Sequence, residues 1–509
     1  MTLIVAGLAA DQISALSAAT VARLSKADIA SLNTSGEISA LTEQQIASLN
    51  KADLNAVNVG ELTTGQIASM SSWTLSNLTS AQAGTLLFSG FLSSTQIQSL
   101  SSAQLNGLSP AAVQMLDLTL LTPNQVAGLN GSFTTKLSQA QVDALSTDQL
   151  NGLSKAALNG IDATFLSTDQ ISGLSQYAVS NLSAAQVKNL SAEQIGTLST
   201  SQIAALGRTQ LSALSGAQIT SLSQVQTQAL SAAQLDSLSK AAVAGLNVPN
   251  LTAAQISGLS KAFSYFTADQ IGALTSDQLG ALSVWQAGSL TAGEIGALST
   301  SQVAELSSSQ IAGFGKTQGG ALNASDIEAM STAQIMALSG AAISTFTTGA
   351  TAALSADQIS ALSTAQVASL RAASIAALLA QQSGSFSQAQ TQALSSAQLN
   401  VLSKASFAAL NATYLTKTQL SGLTTAIGNF TTDQISQLST DQLSAFGSRQ
   451  IALLNATQVE ALSTSQVASL SPAQIWAMTK NQTAGLSAAD IQSLSTAQTG
   501  SFSASERSR

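Results

Sequence analysis

Leucine recurs every eight residues through the middle of the chain, at Leu166, Leu174, Leu182, Leu190, Leu198, Leu206, Leu214, Leu222, Leu230 and Leu238. Each leucine opens a unit of the form L-S-x-x-Q-I-x-x, so the apolar positions are spaced alternately five and three residues apart, as in Leu166, Ile171, Leu174. Similar phrasing runs from Leu8 to near Phe502 with no shift in composition. A repeat this short cannot bury a core alone and has to stack on its neighbours.

The polar positions set the local structure. In Ser167-Thr168-Asp169-Gln170, Ser191-Ala192-Glu193-Gln194 and Ser199-Thr200-Ser201-Gln202, Gln follows Ser by three residues, the pattern of a helix capping box. Ser167, Ser175, Ser183, Ser191 and Ser199 are the expected helix N-caps, with Gln170, Gln186, Gln194 and Gln202 completing the box. Leu166, Ile171, Leu174, Leu182, Leu190, Ile195, Leu198 and Ile203 are the expected core.

One uninterrupted helix is excluded by geometry. At about 100° per residue an octad overshoots two turns by about 80°, so the leucine stripe would wind around the cylinder. A parallel β-solenoid is disfavoured because no period-two alternation is present and the intervening positions are rich in Ala and Gln. The pattern therefore predicts an all-α repeat solenoid. Short two-turn helices of about six or seven residues, one per eight-residue unit, end at Leu and pass directly to the next Ser. Isolated helices shorter than about 12 to 15 residues do not persist in water, so stacking has to hold them. Two aliphatic side chains per unit are too little against the entropy of ordering eight residues, which predicts that the flanking Ala residues are buried too.

Five-residue corner units interrupt the octads at Val57–Glu61, Leu116–Leu120, Ile161–Phe165, Leu246–Asn250 and Leu410–Tyr414. Lys51, Lys155, Lys240 and Lys404 stand six residues ahead of four of them, and Pro110 takes that place in the fifth. In the same preceding units the Gln is replaced by Asp53, Ala112, Ala157, Ala242 and Ser406. Coupled changes of this kind indicate a corner or phase-reset element. A row of lysine ligand contacts is the functional alternative.

Charge and composition then narrow the function. The 509 residues are expected to form one continuous solenoid over 1–502 with a short polar tail at 503–509. Seventeen basic against 25 acidic residues give a net charge of -8, and no basic run could follow a phosphate backbone, which argues against nucleic acid. The chain has no His and no Cys, so Ser-His-Asp and Cys-His catalysis and His- or Cys-ligated zinc cannot be built. Acidic residues such as Asp148, Asp169 and Asp433 fall just before Gln, in the first helical turn, where negative charge meets the positive helix end. Neither an enzyme nor a cofactor is expected. Trp73, Trp285 and Trp476 read as core or groove fillers, and Asn-x-Ser/Thr triplets such as Asn181-Leu182-Ser183 arise from the repeat itself.

The apolar Met1–Leu8 segment lacks a basic leader region and enters the first octad at once, so it does not read as a cleaved secretory signal. No apolar run approaches the roughly 20 residues of a membrane span. The half-unit Leu121-Thr122-Pro123-Asn124-Gln125-Val126 is similar to the opening of TAL effector repeats, but the second helix, base-reading loop and 34-residue period of those repeats are absent. The array as a whole resembles the L-S-x-x-Q-I/V octad repeats of large proteobacterial exoproteins that carry haem-utilisation or adhesion labels. That resemblance implies an extracellular or surface-associated protein exported without a cleaved signal, although a cytoplasmic location is also compatible with the sequence. With no His there is no histidine ligand for haem. The expected role is structural: a self-assembling filament, surface-layer or matrix subunit, or an adhesin stalk. It would form a homo-polymer and could also contact glycans or other surface proteins. A solenoid binding module holding a peptide or glycan in its groove is the alternative.

Overall fold

The computed structural model describes residues 5–502, and the expected tail at 503–509 lies outside the described residues. Among the described residues there is no strand; short α-helices and a few 3₁₀ segments make up the ordered elements. The chain divides into two compact units, Met1–Leu251 and Thr252–Arg509, each a helical repeat solenoid built to the same rule.

In a regular octad the helix begins behind Ser and stops at Leu. Thr168–Gly173 shows the pattern: the Ser167 hydroxyl accepts from the Gln170 amide at 3.1 Å, and the Ser167 amide donates to Gln170 Oε1 at 2.9 Å. Leu174 (φ -64°, ψ 140°) and Ser175 (φ -67°, ψ 157°) are both extended, and these two residues turn the chain between helices. Most of the α-helices run four to six residues, shorter than the six or seven expected, because the residue before Leu often closes the last turn as a cap. Each helix packs mainly against the third helix after it, as Gln176–Asn181 packs on Thr200–Ala205.

The buried positions are Ile, Leu and, unexpectedly, Gln. Leu166, Ile171, Leu174, Leu182, Leu190, Ile195, Leu198 and Ile203 are all buried, and so are Gln170, Gln186, Gln194 and Gln202. The flanking alanines, by contrast, are not buried: Ala204 is exposed, and Ala192 and Ala205 are only half-buried. The expectation of buried Ala is thus corrected. The third buried side chain of the unit is the Gln, whose amide is fully used.

Most of the box Gln amides reach back a full superhelical turn. In the first unit, Gln202 Nε2 donates to Leu174 O at 2.6 Å, and Gln218 Nε2 donates to Leu190 O at 2.7 Å and Val187 O at 2.9 Å. In the second, Gln310 Nε2 donates to Leu282 O at 2.8 Å and Leu279 O at 2.7 Å, and Gln482 Nε2 to Leu454 O at 2.6 Å and Ile451 O at 2.7 Å. The leucine acceptor lies 28 residues back, which is three and a half octads, so each Gln sits over the joint between two helices of the preceding turn. Those carbonyls are among the orphans every helix end leaves behind, and each Gln supplies them while its own Oε1 serves the N-cap amide.

Either half of the box can start a helix: Ser154 and Ser175 do so where Ala157 and Ala178 stand in place of the Gln. At Leu379 no capping hydroxyl exists, yet the helix still starts there, with the Leu379 amide donating to Gln382 Oε1 at 2.6 Å and Gln382 Nε2 donating to Leu354 O at 2.6 Å. Two places lack the break. Lys26–Ser35 and Ser80–Ser89 run on for ten residues, and in both the position where the next Gln would fall is occupied by a glycine, Gly36 or Gly90, that ends the helix in the left-handed region.

Polar residues occasionally replace Ile at the core position. Ser383 and Thr391 are almost fully buried and their hydroxyls have no hydrogen-bond partner, a costly arrangement. Ser383→Val and Thr391→Val are each expected to raise the unfolding free energy by about 1 kcal/mol. Chemical denaturation of the single and double variants checks this.

Candidate functional surface

The five pentads form 3₁₀ turns at Val59–Glu61, Leu118–Leu120, Ala163–Phe165, Val248–Asn250 and Ala412–Tyr414. In four of them an Asx side chain replaces the Ser cap. Asp162 Oδ1, for example, accepts from the Thr164 amide at 3.0 Å and its hydroxyl at 2.8 Å. One core residue remains in each: Val59, Leu118, Ala163, Val248 or Ala412. A pentad is therefore an octad that has lost one helical turn but kept its cap, core residue and closing Leu.

Turns that contain a pentad keep their unit count. Gln170 Nε2 donates to Leu145 O, 25 residues back, and Gln186 Nε2 to Ile161 O, also 25 back. In both cases, as in a regular turn, the acceptor closes the fourth unit before the Gln. The pentad thus keeps the phase of the stacking while shortening the turn.

Three of the five shortened turns carry a second clasp that runs forward. Asn106 Nδ2 donates to Gly128 O at 2.9 Å while its Oδ1 accepts from the Asn130 amide at 2.9 Å. Asn151 does the same with Gly173 O at 3.0 Å and the Ser175 amide at 2.7 Å, and Asn400 with Gly422 O at 3.0 Å and the Thr424 amide at 2.7 Å. The units opened by Asn130, Ser175 and Thr424 lack the box Gln, so their N-cap amides would otherwise go unserved. The Asn supplies from the preceding turn what a Gln supplies from within the unit. Sequence reasoning missed this, although the signal is present: Asn106, Asn151 and Asn400 each stand ten residues before a pentad.

Lys51, Lys155, Lys240 and Lys404 occupy the first helical position of the unit before a pentad, and all four are exposed. Beside Lys155 and Lys240 the small residues matter more. A Cβ on Gly160 or Gly245 would collide with the backbone of Gly131 or Gly216 on the adjacent helix, so the unit ahead of the pentad presses closely on its neighbour. Buried Ala157 and Ala242 at the Gln position allow this approach. The sole ion pair among the described residues, Lys417 to Asp441 at 3.0 Å, is exposed.

No group of three or more potential metal ligands occurs among the described residues. Asp148, Asp169 and Asp433 are exposed in first helical turns, apart from one another. The buried acids Asp326 and Asp490 stand at the Gln position and cap their own helices. Burial tends to raise the Asp490 carboxyl, but hydrogen bonds from the Ser487 hydroxyl and amide and from Thr464 outweigh it and hold the group below its ordinary value. Trp73, Trp285 and Trp476 are more than half exposed, correcting their expected role as core or groove fillers. Trp73 and Trp285 take the second helical position and Trp476 the fifth, both of which face solvent.

One open apolar groove stands out in the second unit. The segments Leu259–Phe266 and Leu423–Phe430 are spaced by seven residues, one short of an octad, and the residue missing is the Gln. Without it the helix tightens to 3₁₀ at Phe263–Tyr265 and Thr425–Asn429. In the first segment aromatic residues fill the space, with Phe263 and Phe266 ring centroids 5.5 Å apart and Lys261 Nζ 5.7 Å from the Tyr265 ring. In the second, Ile427 and Gly428 leave a cavity of about 440 Å³, walled by Leu423, Thr424, Arg449 and Leu453.

The chain matches no known protein-family model and none of the curated proteins.

Because Lys155 is exposed and Asn151 makes two hydrogen bonds between turns, Lys155→Gln is expected to leave stability within about 0.5 kcal/mol of the parent and Asn151→Ala to lower it by about 1 kcal/mol. Parallel urea titrations separate the two.

Proposed function

We propose that the protein is a structural, self-assembling component of an extracellular or cell-surface layer: a filament, surface-layer or matrix subunit, or the stalk of an adhesin. The observation that carries this reading is the self-complementarity of the superhelical turn. Each regular turn directs Gln amide donors backward and offers helix-end carbonyls forward, and both partners are generic features of the repeat. One turn is therefore a suitable partner for any other, including a turn of a second copy. Such contacts are heterologous, and heterologous contacts that do not close into a ring build open assemblies.

The exposed surface suits lateral association as well. It is rich in Ser, Thr and Ala, and only 8% of the residues are charged, so copies can meet through hydrogen bonds between hydroxyls without burying many charges. The location follows from the octad resemblance. Among the described residues no helix is long and apolar enough to cross a membrane.

Negative-stain electron microscopy of the purified chain across a concentration series is expected to show regular filaments or sheets. Dispersed monomers at the highest concentration would remove the assembly reading.

A further inference from the structure

The groove beside Leu453 has the construction of a ligand site. Leu453 sits at the sixth helical position of Ser448–Leu453, where most octads carry Ala, Ser or Gly, and it is 57% exposed. A single exposed leucine needs no explanation by itself; what sets Leu453 apart is that it borders an apolar groove. Beneath it lie the buried side chains of Leu423 and Ile427, so the floor and one wall are apolar. At about 440 Å³ the space falls within the range of small-molecule sites.

The rim is asymmetric in charge. Arg449, one helical turn before Leu453, is the only ionisable residue lining the groove, and no carboxylate lines it. The one ion pair among the described residues involves Lys417 and Asp441, leaving the Arg449 guanidinium without an acidic partner there. The groove is also held in shape. Asn400 accepts from the Thr424 amide at 2.7 Å, and the Thr425 hydroxyl donates to Asn400 O at 2.8 Å. Gln450 closes the back wall by donating to Leu420 O and Leu423 O, both at 2.7 Å.

From this geometry we infer that the groove binds a small amphiphile with an anionic head and an unbranched apolar tail, the head paired with Arg449 and the tail lying over Ile427 against Leu453. Charge complementarity selects the head, since a guanidinium pairs bidentately with a carboxylate. The absence of the Gln opens room for the tail.

The test is isothermal titration of the 509-residue chain with decanoate below its micellar concentration, with 1-decanol as the neutral counterpart. Decanoate is expected to bind one site. Arg449→Gln and Leu453→Ser should each weaken that binding by about tenfold, the equivalent of about 1.4 kcal/mol, and decanol should bind more weakly than decanoate. Both positions are exposed, so circular dichroism of the variants should match the parent. No binding of decanoate, binding unchanged in both variants, or equal affinity for decanol would overturn the assignment.

Discussion

The architecture depends on one bifunctional side chain. A helix of four to six residues leaves nearly all of its amides and carbonyls without intrahelical partners, and a protein made of such helices faces that deficit at every joint. Gln at the third helical position meets it from both sides: Oε1 takes the N-cap amide of its own unit, and Nε2 gives to the carbonyls at the end of a helix one turn earlier. Local capping and turn-to-turn stacking are thereby a single interaction. That is why helices too short to persist alone can be ordered here, and why the buried Ile and Leu can be so few.

The departures from the octad follow the same logic. Removing a helical turn but keeping a core residue gives a pentad, and an Asn from the turn before then serves a cap that has no Gln. Removing the Gln alone gives the seven-residue segments, whose helices tighten to 3₁₀. Substituting Gly at its position lets the preceding helix run to ten residues. In each case the local outcome can be traced to whether the amide is present, moved or absent. The apolar groove at Arg449 is a by-product of the same deletion.

Much of this was legible in the residues. The eight-residue period, the Ser caps, the need for a break in each unit and the pentads could all be read from spacing, because they depend on contacts within one or two units. What could not be read depends on the pitch of the superhelix. A capping box explains a recurring Ser and Gln pair completely, so the second use of Gln170 or Gln202, 28 residues away, left no mark of its own. The burial of Ala was inferred from a missing share of buried surface that Gln in fact provides. The seven-residue segments were hidden because Phe266 and Phe430 stand where the period called for Leu. The lysines drew attention as charged residues at fixed places, while the interactions that shorten the turn are made by Asn151, Ala157 and Gly160 nearby.

The most direct test of the clasp is Gln310→Glu. The replacement keeps the oxygen that accepts from the Ser307 amide at 2.7 Å but turns the donor that faces Leu279 O and Leu282 O into a second acceptor. Equilibrium unfolding at pH 7, with hydrogen exchange followed at the joint around Leu282 and Ser283, is expected to show a loss of about 2 to 4 kcal/mol. Burial raises the carboxyl pKa, so part of the loss should return as the pH falls through that raised value and the protonated acid can donate again. A change within about 0.5 kcal/mol at pH 7, with exchange at the joint unaltered, would contradict the account.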